Sequence, residues 1–183
     1  MLKDGYEIIA KGNLVMLRTH IETDRTPYQR WQAEGEWRSL DAPWEQSNTG
    51  KKQNQDKRKK QSPIDDDSSP QKIAVIATLE NKPLGWVNRY SHGNPLVWFV
   101  GINICEDDYL NRGYGTEALK LWVDYLFANS KYHKLCLDTW SFNPRMARVA
   151  EKLGFISEGC QREMQFWQGE WLDLMHYGML REE

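Results

Sequence analysis

The stretch DDYLNRGYGTEALKLW, residues 107–122, decides how this chain is read. Gly113 and Gly115 flank Tyr114, Arg112 stands just before them, and a helical pattern begins at once. A helix start leaves backbone N–H groups unpaired and carries a partial positive charge, so it attracts anions. Glycine there lets the backbone approach a phosphate that a Cβ would hold away, and Arg112 adds a charge-assisted contact. NRGYGT therefore reads as a phosphate cradle, against the plainer reading of a tight loop before a helix. The helix that follows carries apolar residues at 118, 119, 121, 122, 125 and 126, a wide stripe at helical period.

Two other phosphate-binding signatures compete for this stretch. The nucleotide-triphosphatase pattern G-x-x-x-x-G-K-[ST] is absent. The dinucleotide fingerprint fits better: Gly113, Gly115 and Ala118 match its G-x-G-x-x-A form, and Asp138 lies twenty residues after Ala118. That fold needs its first glycine directly at a strand end, whereas EDDYLNR separates Cys105 from Gly113. About sixty-five residues follow Ala118, too few for the second half of a doubly wound sheet.

Outward from the loop, turn residues divide the chain regularly. KIAVIATLE, LGWVNRYS and LVWFVGINIC, separated by turns at NKP and HGNP, predict three antiparallel strands before it. After the helix, HKLCLDT (His133 to Thr139) predicts a strand. NPRMARVAEKLGF predicts a helix from Asn143 to about Gly154, with Asn143 as its N-cap. A closing hairpin follows, from Cys160–Trp167 and Glu170–Leu180 joined at Gln168-Gly169. Upstream, Gly12–His20 reads as a strand, and Asp24–Trp37 as a short helix with Asp24 as cap candidate. Residues 50–72 contain almost no apolar residue and read as a mobile connector. Their run KKQNQDKRKK resembles a nucleic-acid patch, but the three aspartates at 65–67 favour a solvated linker. The order of elements predicts one mixed α/β (α+β) domain over residues 1–183, its central sheet of six to seven mostly antiparallel strands flanked by helices.

Composition narrows the function classes. The 183 residues suit one domain with its own core, and 40% hydrophobic with 27% charged residues is a soluble composition. A formal charge of -2 gives no general attraction to nucleic acid or an anionic membrane, and no apolar run is long enough to span a bilayer. The three cysteines, Cys105, Cys136 and Cys160, are odd in number and not spaced as C-x-x-C. They predict free thiols in a reducing cytoplasm and no metal site.

The segments GINICEDDYLNRGYGTEALKLWVDYLF, LCLDTWSFNPRMARVAEKLGF and EGCQREMQFWQGEWLDLMHYGML resemble successive motifs of the GNAT-superfamily N-acetyltransferases. The likeness is greatest to the branch that holds the ribosomal-protein and aminoglycoside acetyltransferases, and it covers the chain from about Ile73 onward. The resemblance implies acetyl-CoA as co-substrate, held between two splayed strands. It implies that Ile102, Asn103 and Ile104 in GINI pair with the pantetheine arm. Leu110, Asn111, Arg112, Gly113, Tyr114, Gly115 and Thr116 would cradle the pyrophosphate, and Asn143 would bond the CoA arm. The acceptor implied is an amine, on a protein N-terminus, an aminoglycoside, a polyamine or another small molecule, and a homodimer is left open.

Acetyl transfer to an amine needs an ammonium to lose its proton, a thioester carbonyl to be polarised, and a thiolate to leave. The superfamily often protonates the thiolate with a Tyr in N-x-x-A/S-x-x-x-Y-E-K-x-G-F. This chain has Ala150 at that position, which keeps alive a second reading as a non-catalytic CoA- or acceptor-binding module. Asp138, Glu163, Tyr177 and His133 are candidate catalytic groups, and residue type alone does not choose among them. Trp31, Trp37 and Trp44 could wall an acceptor site or pack a core.

Overall fold

The computed structural model describes residues 5–46 and 70–183. Along the chain run β1 (Ile8–Lys11), β2 (Val15–Arg18), α1 (Arg25–Ala33), α2 (Trp37–Leu40), α3 (Pro43–Gln46), β3 (Ile73–Thr78) and β4 (Pro83–Tyr90). Then come β5 (Val97–Ile104), α4 (Tyr114–Ala128), β6 (Lys134–Trp140), α5 (Pro144–Lys152), β7 (Ile156–Trp167) and β8 (Glu170–Leu180). One sheet holds all eight strands in the order β1-β2-β3-β4-β5-β6-β8-β7. Only β5 and β6 run parallel; every other neighbouring pair is antiparallel. The mixed, mostly antiparallel sheet is the expected one, with eight strands where six to seven were expected. The additional strand, IIAK, is short and half-exposed, so its alternation carries little signal.

α4 lies across the sheet through Ala118, Leu119, Trp122, Val123 and Leu126, all buried, while Leu121 and Tyr125 are half-buried. Burying side chains of this size stabilises by about 1.5–3 kcal/mol each. The helix expected over Asp24–Trp37 is broken at Gly35, whose φ of 116° lies outside the range open to most residues. Asp24 makes no side-chain cap to α1. It turns inward to a buried Arg18, at 2.7 and 2.8 Å in a two-pronged ion pair, and accepts the Ile21 N–H at 2.9 Å.

The basic run and the aspartates of the expected connector lie outside the described residues. Its last three residues are held in place: Arg89 donates to the carbonyls of Pro70 and Gln71, and Gln71 N–H donates to the Tyr125 hydroxyl.

The feature that positions the site is a parting of strands. β5 and β6 pair only at Val97–Lys134, Trp98–Leu135 and Phe99–Cys136. Beyond Phe99, β5 stays paired to β4 as far as Ile104, and β6 stays paired to β8 as far as Trp140. Each strand is held by its outer neighbour, so the inner edges diverge and their backbone groups have no ladder partner across the gap.

Candidate active site

A cleft of about 690 Å³ opens where β5 and β6 diverge. Ile102, Asn103 and Ile104 form its β5 wall, and Leu137, Asp138, Thr139 and Trp140 its β6 wall. Leu110, Asn111, Gly113, Gly115 and Thr116 close the end beneath α4, and Asn143 lines it from the start of α5. Arg112 and Tyr114 do not line it; Arg112 is exposed, and Tyr114 packs edge-on against Tyr109 at 5.0 Å.

The loop into α4 owes its shape to two left-handed residues, Asn111 at φ 58° and Gly113 at φ 90°. Gly113 is the N-cap of α4 and makes no side-chain cap, so the first N–H groups of the helix are available to a ligand. A Cβ on Gly115 would stand 3.4 Å from Ile104 Cγ1, so this turn of helix lies tight against the β5 wall. The helix start is also anchored from behind. Glu117 accepts the N–H groups of Asn13, Leu14 and Val15 at 2.9, 2.7 and 2.9 Å. Burial pushes its carboxyl up, but these three bonds outweigh it and leave the group below its ordinary value.

α5 supplies positive charge. Arg145, Arg148 and Lys152 line the cleft at spacings of three and four, one face of the helix. Arg145 pairs with Glu36 at 2.6 Å, and its Nη1 is buried without a hydrogen-bond partner among the described residues. Asn143 caps the helix by accepting the Met146 N–H at 3.2 Å, ahead of Pro144. The spacing of these cations was visible in NPRMARVAEK; that they face the cleft follows only from how α5 docks. Ala150 is 0% exposed and belongs to the core, so that position carries no side chain toward the cleft.

At the apex of the parting, one face of the sheet gathers polar groups. Asn88 and Tyr90 of β4 sit opposite Gly101 and Phe99 of β5, and a Cβ at Gly101 would collide with the Asn88 side-chain oxygen. Asp138 of β6 and Asp41, which follows α2, line the same cleft. Asp41 is exposed as a residue but accepts from Asn103 Nδ2 at 3.4 Å. Partial desolvation raises its carboxyl, against the lowering effect of that bond. The Tyr90 hydroxyl is pushed up to about 12, first by lost hydration and then by the negative charges of Asp138 and Asp41. It therefore stays protonated at neutral pH. Trp37 and Trp140 wall this region, and Trp44 packs edge-on to Trp140 at 4.6 Å. Trp31 is 1% exposed, donates to Glu106 at 2.7 Å and belongs to the packing beneath α1.

Of the candidate catalytic residues, only Asp138 lies in the cleft. Glu163 is exposed on the outer hairpin at φ 52°. His133 is exposed at the start of β6. Tyr177 is 4% exposed and packs in the core on the α4 side of the sheet. Burial, then the charge of Glu151, raises its hydroxyl. The residue that sequence reasoning missed is its neighbour, His176, whose Nδ1 lies 2.7 Å from Asp138 Oδ1.

The family model for an acetyltransferase (GNAT) domain matches residues 15–156. The chain belongs to the GNAT acetyltransferase family. The matched span holds the parted strands, the Gly-Tyr-Gly loop and α5. The chain is similar to the prophage-derived N-acetyltransferase YokL of Bacillus subtilis, 34% identical over 77 residues, 42% of this chain and 44% of that one. It is also similar to the N-acetyltransferase YnaD of the same organism, 26% identical over 113 residues, 62% of this chain and 66% of that one. The chain thus spans 44–66% of the lengths of the curated relatives it matches. Among solved structures, a GNAT-family acetyltransferase from Bacillus anthracis superposes with TM-score 0.71 at 19% identity, over 95% of this chain and 99% of that one. A variant of the spermidine N-acetyltransferase SpeG from Vibrio cholerae reaches TM-score 0.55 at 22% identity, over 60% of this chain and 65% of that one. At these identities the two structures share the GNAT fold with this chain.

Proposed function

We propose that the protein moves the acetyl group of acetyl-CoA to a primary amine on a small, multiply cationic acceptor. The observation that carries this reading is the parting of β5 and β6, with an anion-binding helix start at one end and carboxylates among aromatic rings at its apex. Acetyl-CoA fits the groups present. The Asn111–Gly113 turn and the first N–H groups of α4 suit a pyrophosphate. Arg145, Arg148 and Lys152 add cations for the nucleotide phosphates, and Arg145 Nη1 lacks an acceptor among the described residues. The unpaired inner edge at Ile102–Ile104 offers backbone groups to an amide-bearing arm.

When bound, acetyl-CoA supplies an activated acyl carbon and a thiolate leaving group. Asp138 takes the proton of the acceptor's ammonium, which frees the nitrogen lone pair to attack that carbon. A backbone N–H of the β5 edge polarises the carbonyl. As the carbon–sulfur bond breaks, the sulfur takes its proton from solvent, since Ala150 can give none. Asp41 and the rings of Trp37, Trp140 and Tyr90 favour a second positive charge on the acceptor. This agrees with the likeness in fold to a spermidine acetyltransferase and with the aminoglycoside side of the branch that the motifs resemble. The three free thiols suit a reducing cytoplasm, where we place the protein.

Release of free CoA thiol, measured over spermidine, an aminoglycoside and a peptide with a free N-terminus, tests this. Spermidine or the aminoglycoside is expected to turn over fastest, and Asp138→Asn to lower kcat by roughly 10²–10⁴-fold with CoA affinity kept. Preference for the peptide would overturn the acceptor reading. If no amine is acetylated, the non-catalytic CoA-binding reading, which the buried Ala150 favours, takes its place.

A further inference from the structure

Asp138 and His176 face each other directly across the β6–β8 ladder, within a run of paired residues from Lys134–Leu180 to Trp140–Leu174. Backbone register therefore makes them neighbours. Asp138 lines the cleft and His176 does not, so the order from the cleft inward is carboxylate, then imidazole. The Asp138–Nδ1 distance is 2.7 Å, short for a nitrogen donor and typical of a charge-assisted bond. The other ring nitrogen, Nε2, is buried and has no hydrogen-bond partner among the described residues.

Those facts select one arrangement of protons. An imidazolium would leave an Nε2–H buried without an acceptor, which costs about 1–3 kcal/mol. With the proton on Nδ1, that N–H donates to Asp138, and Nε2 is a bare lone pair with the smaller penalty of a missing donor. The only side-chain hydrogen bond that Asp138 makes among the described residues is the one its Oδ1 accepts from this ring. Its Oδ2 is left for the cleft.

We propose that His176 is a positioning residue for the acetyl transfer: as the neutral Nδ1–H tautomer it holds Asp138 so that the free carboxylate oxygen meets the acceptor's ammonium. This rests on the functional reading above and adds the group that aims its base. Proton transfer demands a donor–acceptor separation near 2.6–3.2 Å, so a carboxylate free to rotate forfeits part of the roughly 10²–10⁴-fold that a placed base supplies. No atom of His176 leaves its place in the step; the ammonium proton ends on Asp138 and passes to solvent through the open cleft.

The test is a double-mutant cycle on the amine that the intact protein turns over best. His176→Phe should lower kcat on the order of 10-fold or more, with CoA affinity and Tm close to wild type. His176→Asn, whose amide can donate where Nδ1–H does, should recover most of the loss. In an Asp138→Asn background, His176→Phe should have no further effect on residual turnover, because the two act as one unit. Independent of activity, ¹⁵N spectra of the imidazole at neutral pH should show Nδ1 protonated and Nε2 bare. An unchanged kcat in His176→Phe, effects that multiply in the cycle, or an Nε2–H tautomer would each overturn the inference while acetyl transfer stands. An intact protein that acetylates no amine overturns the functional reading, and this inference with it.

Discussion

Replacing Gly113 by Ala perturbs the proposed phosphate cradle at a left-handed backbone position. The residue has φ 90°, and the nearest atom to a new Cβ would be Leu14 Cδ1 at 3.6 Å, an ordinary contact. Sterics with the surroundings therefore cost little, and the penalty is conformational, about 1–2 kcal/mol for an L-residue forced left-handed. For a chain of this size each kcal/mol lowers Tm by roughly 2–4 °C, so a loss of about 2–8 °C is expected. The start of α4 is anchored by the three bonds to Glu117, so relaxation falls on the loop. It rotates the adjoining peptides away from the ligand. Losing one charge-assisted bond to phosphate is worth about 1.5–3 kcal/mol, or roughly 10–150-fold in the Kd of CoA. Gly113→Asn should keep more affinity, because Asn tolerates this backbone region. Calorimetric titration of CoA with circular-dichroism melting reads both quantities. A folded Gly113→Ala protein with wild-type CoA affinity would refute the assignment of this loop to phosphate.

Gly115→Ala gains up to about 1 kcal/mol of helix propensity but meets Ile104 at 3.4 Å; stability should stay nearly level while CoA affinity falls, and an unaltered titration would contradict this. CoA at about 100 times its Kd should stabilise by roughly 2.7 kcal/mol, and NAD or NADP should not; a thermal shift with the nicotinamide nucleotides alone would restore the dinucleotide reading. Asp24→Ala strands Arg18 in the core and should cost about 3–5 kcal/mol in urea unfolding, a smaller loss showing that the pair is dispensable. Burial pushes the Asp24 carboxyl up, yet the bonds from Arg18 and Ile21 N–H outweigh it and hold it below 3.8. Its contribution is thus complete above the unfolded value near 3.9 and is lost as pH falls through the lower folded one. Asp24→Asn should flatten the acid side of the stability profile, and an unchanged acid midpoint would count against the pair.

Local pattern announced much of this fold. The stripe on α4, the Asn-Pro start of α5 and the turns that delimit β3 to β5 are all short-range signals, and the structure has each element where its signal lies. The β7 strand begins at Ile156, four residues before the Cys160 expected, because its first residues, Ile156 to Gly159, are all exposed and show no apolar alternation, and they pair only through β8. The Gly113 loop was legible for the same local reason, whereas the cleft residues of β5 came only from the family resemblance. What was not legible is relational. Asp138 and His176 are 38 apart in sequence, and only the β6–β8 register makes them partners. His176 and Tyr177 necessarily lie on opposite faces of β8, but no local pattern says which of the two faces the core. Trp31, Trp37 and Trp44 likewise divide between core and cleft according to how the short helices dock on Trp86 and Trp140.

The bonds from Asn13, Leu14 and Val15 to Glu117 join segments more than a hundred residues apart. They also join the first hairpin of the sheet to the helix whose opening turn forms the proposed phosphate cradle. A chain emerging from the ribosome makes β1 and β2 long before α4 exists, so this clasp closes late and only once both ends are in place. Co-substrate affinity then works as a gauge of assembly: loosening the N-terminal hairpin, far in sequence from any residue that touches a phosphate, would register as weaker CoA capture before it registered as unfolding.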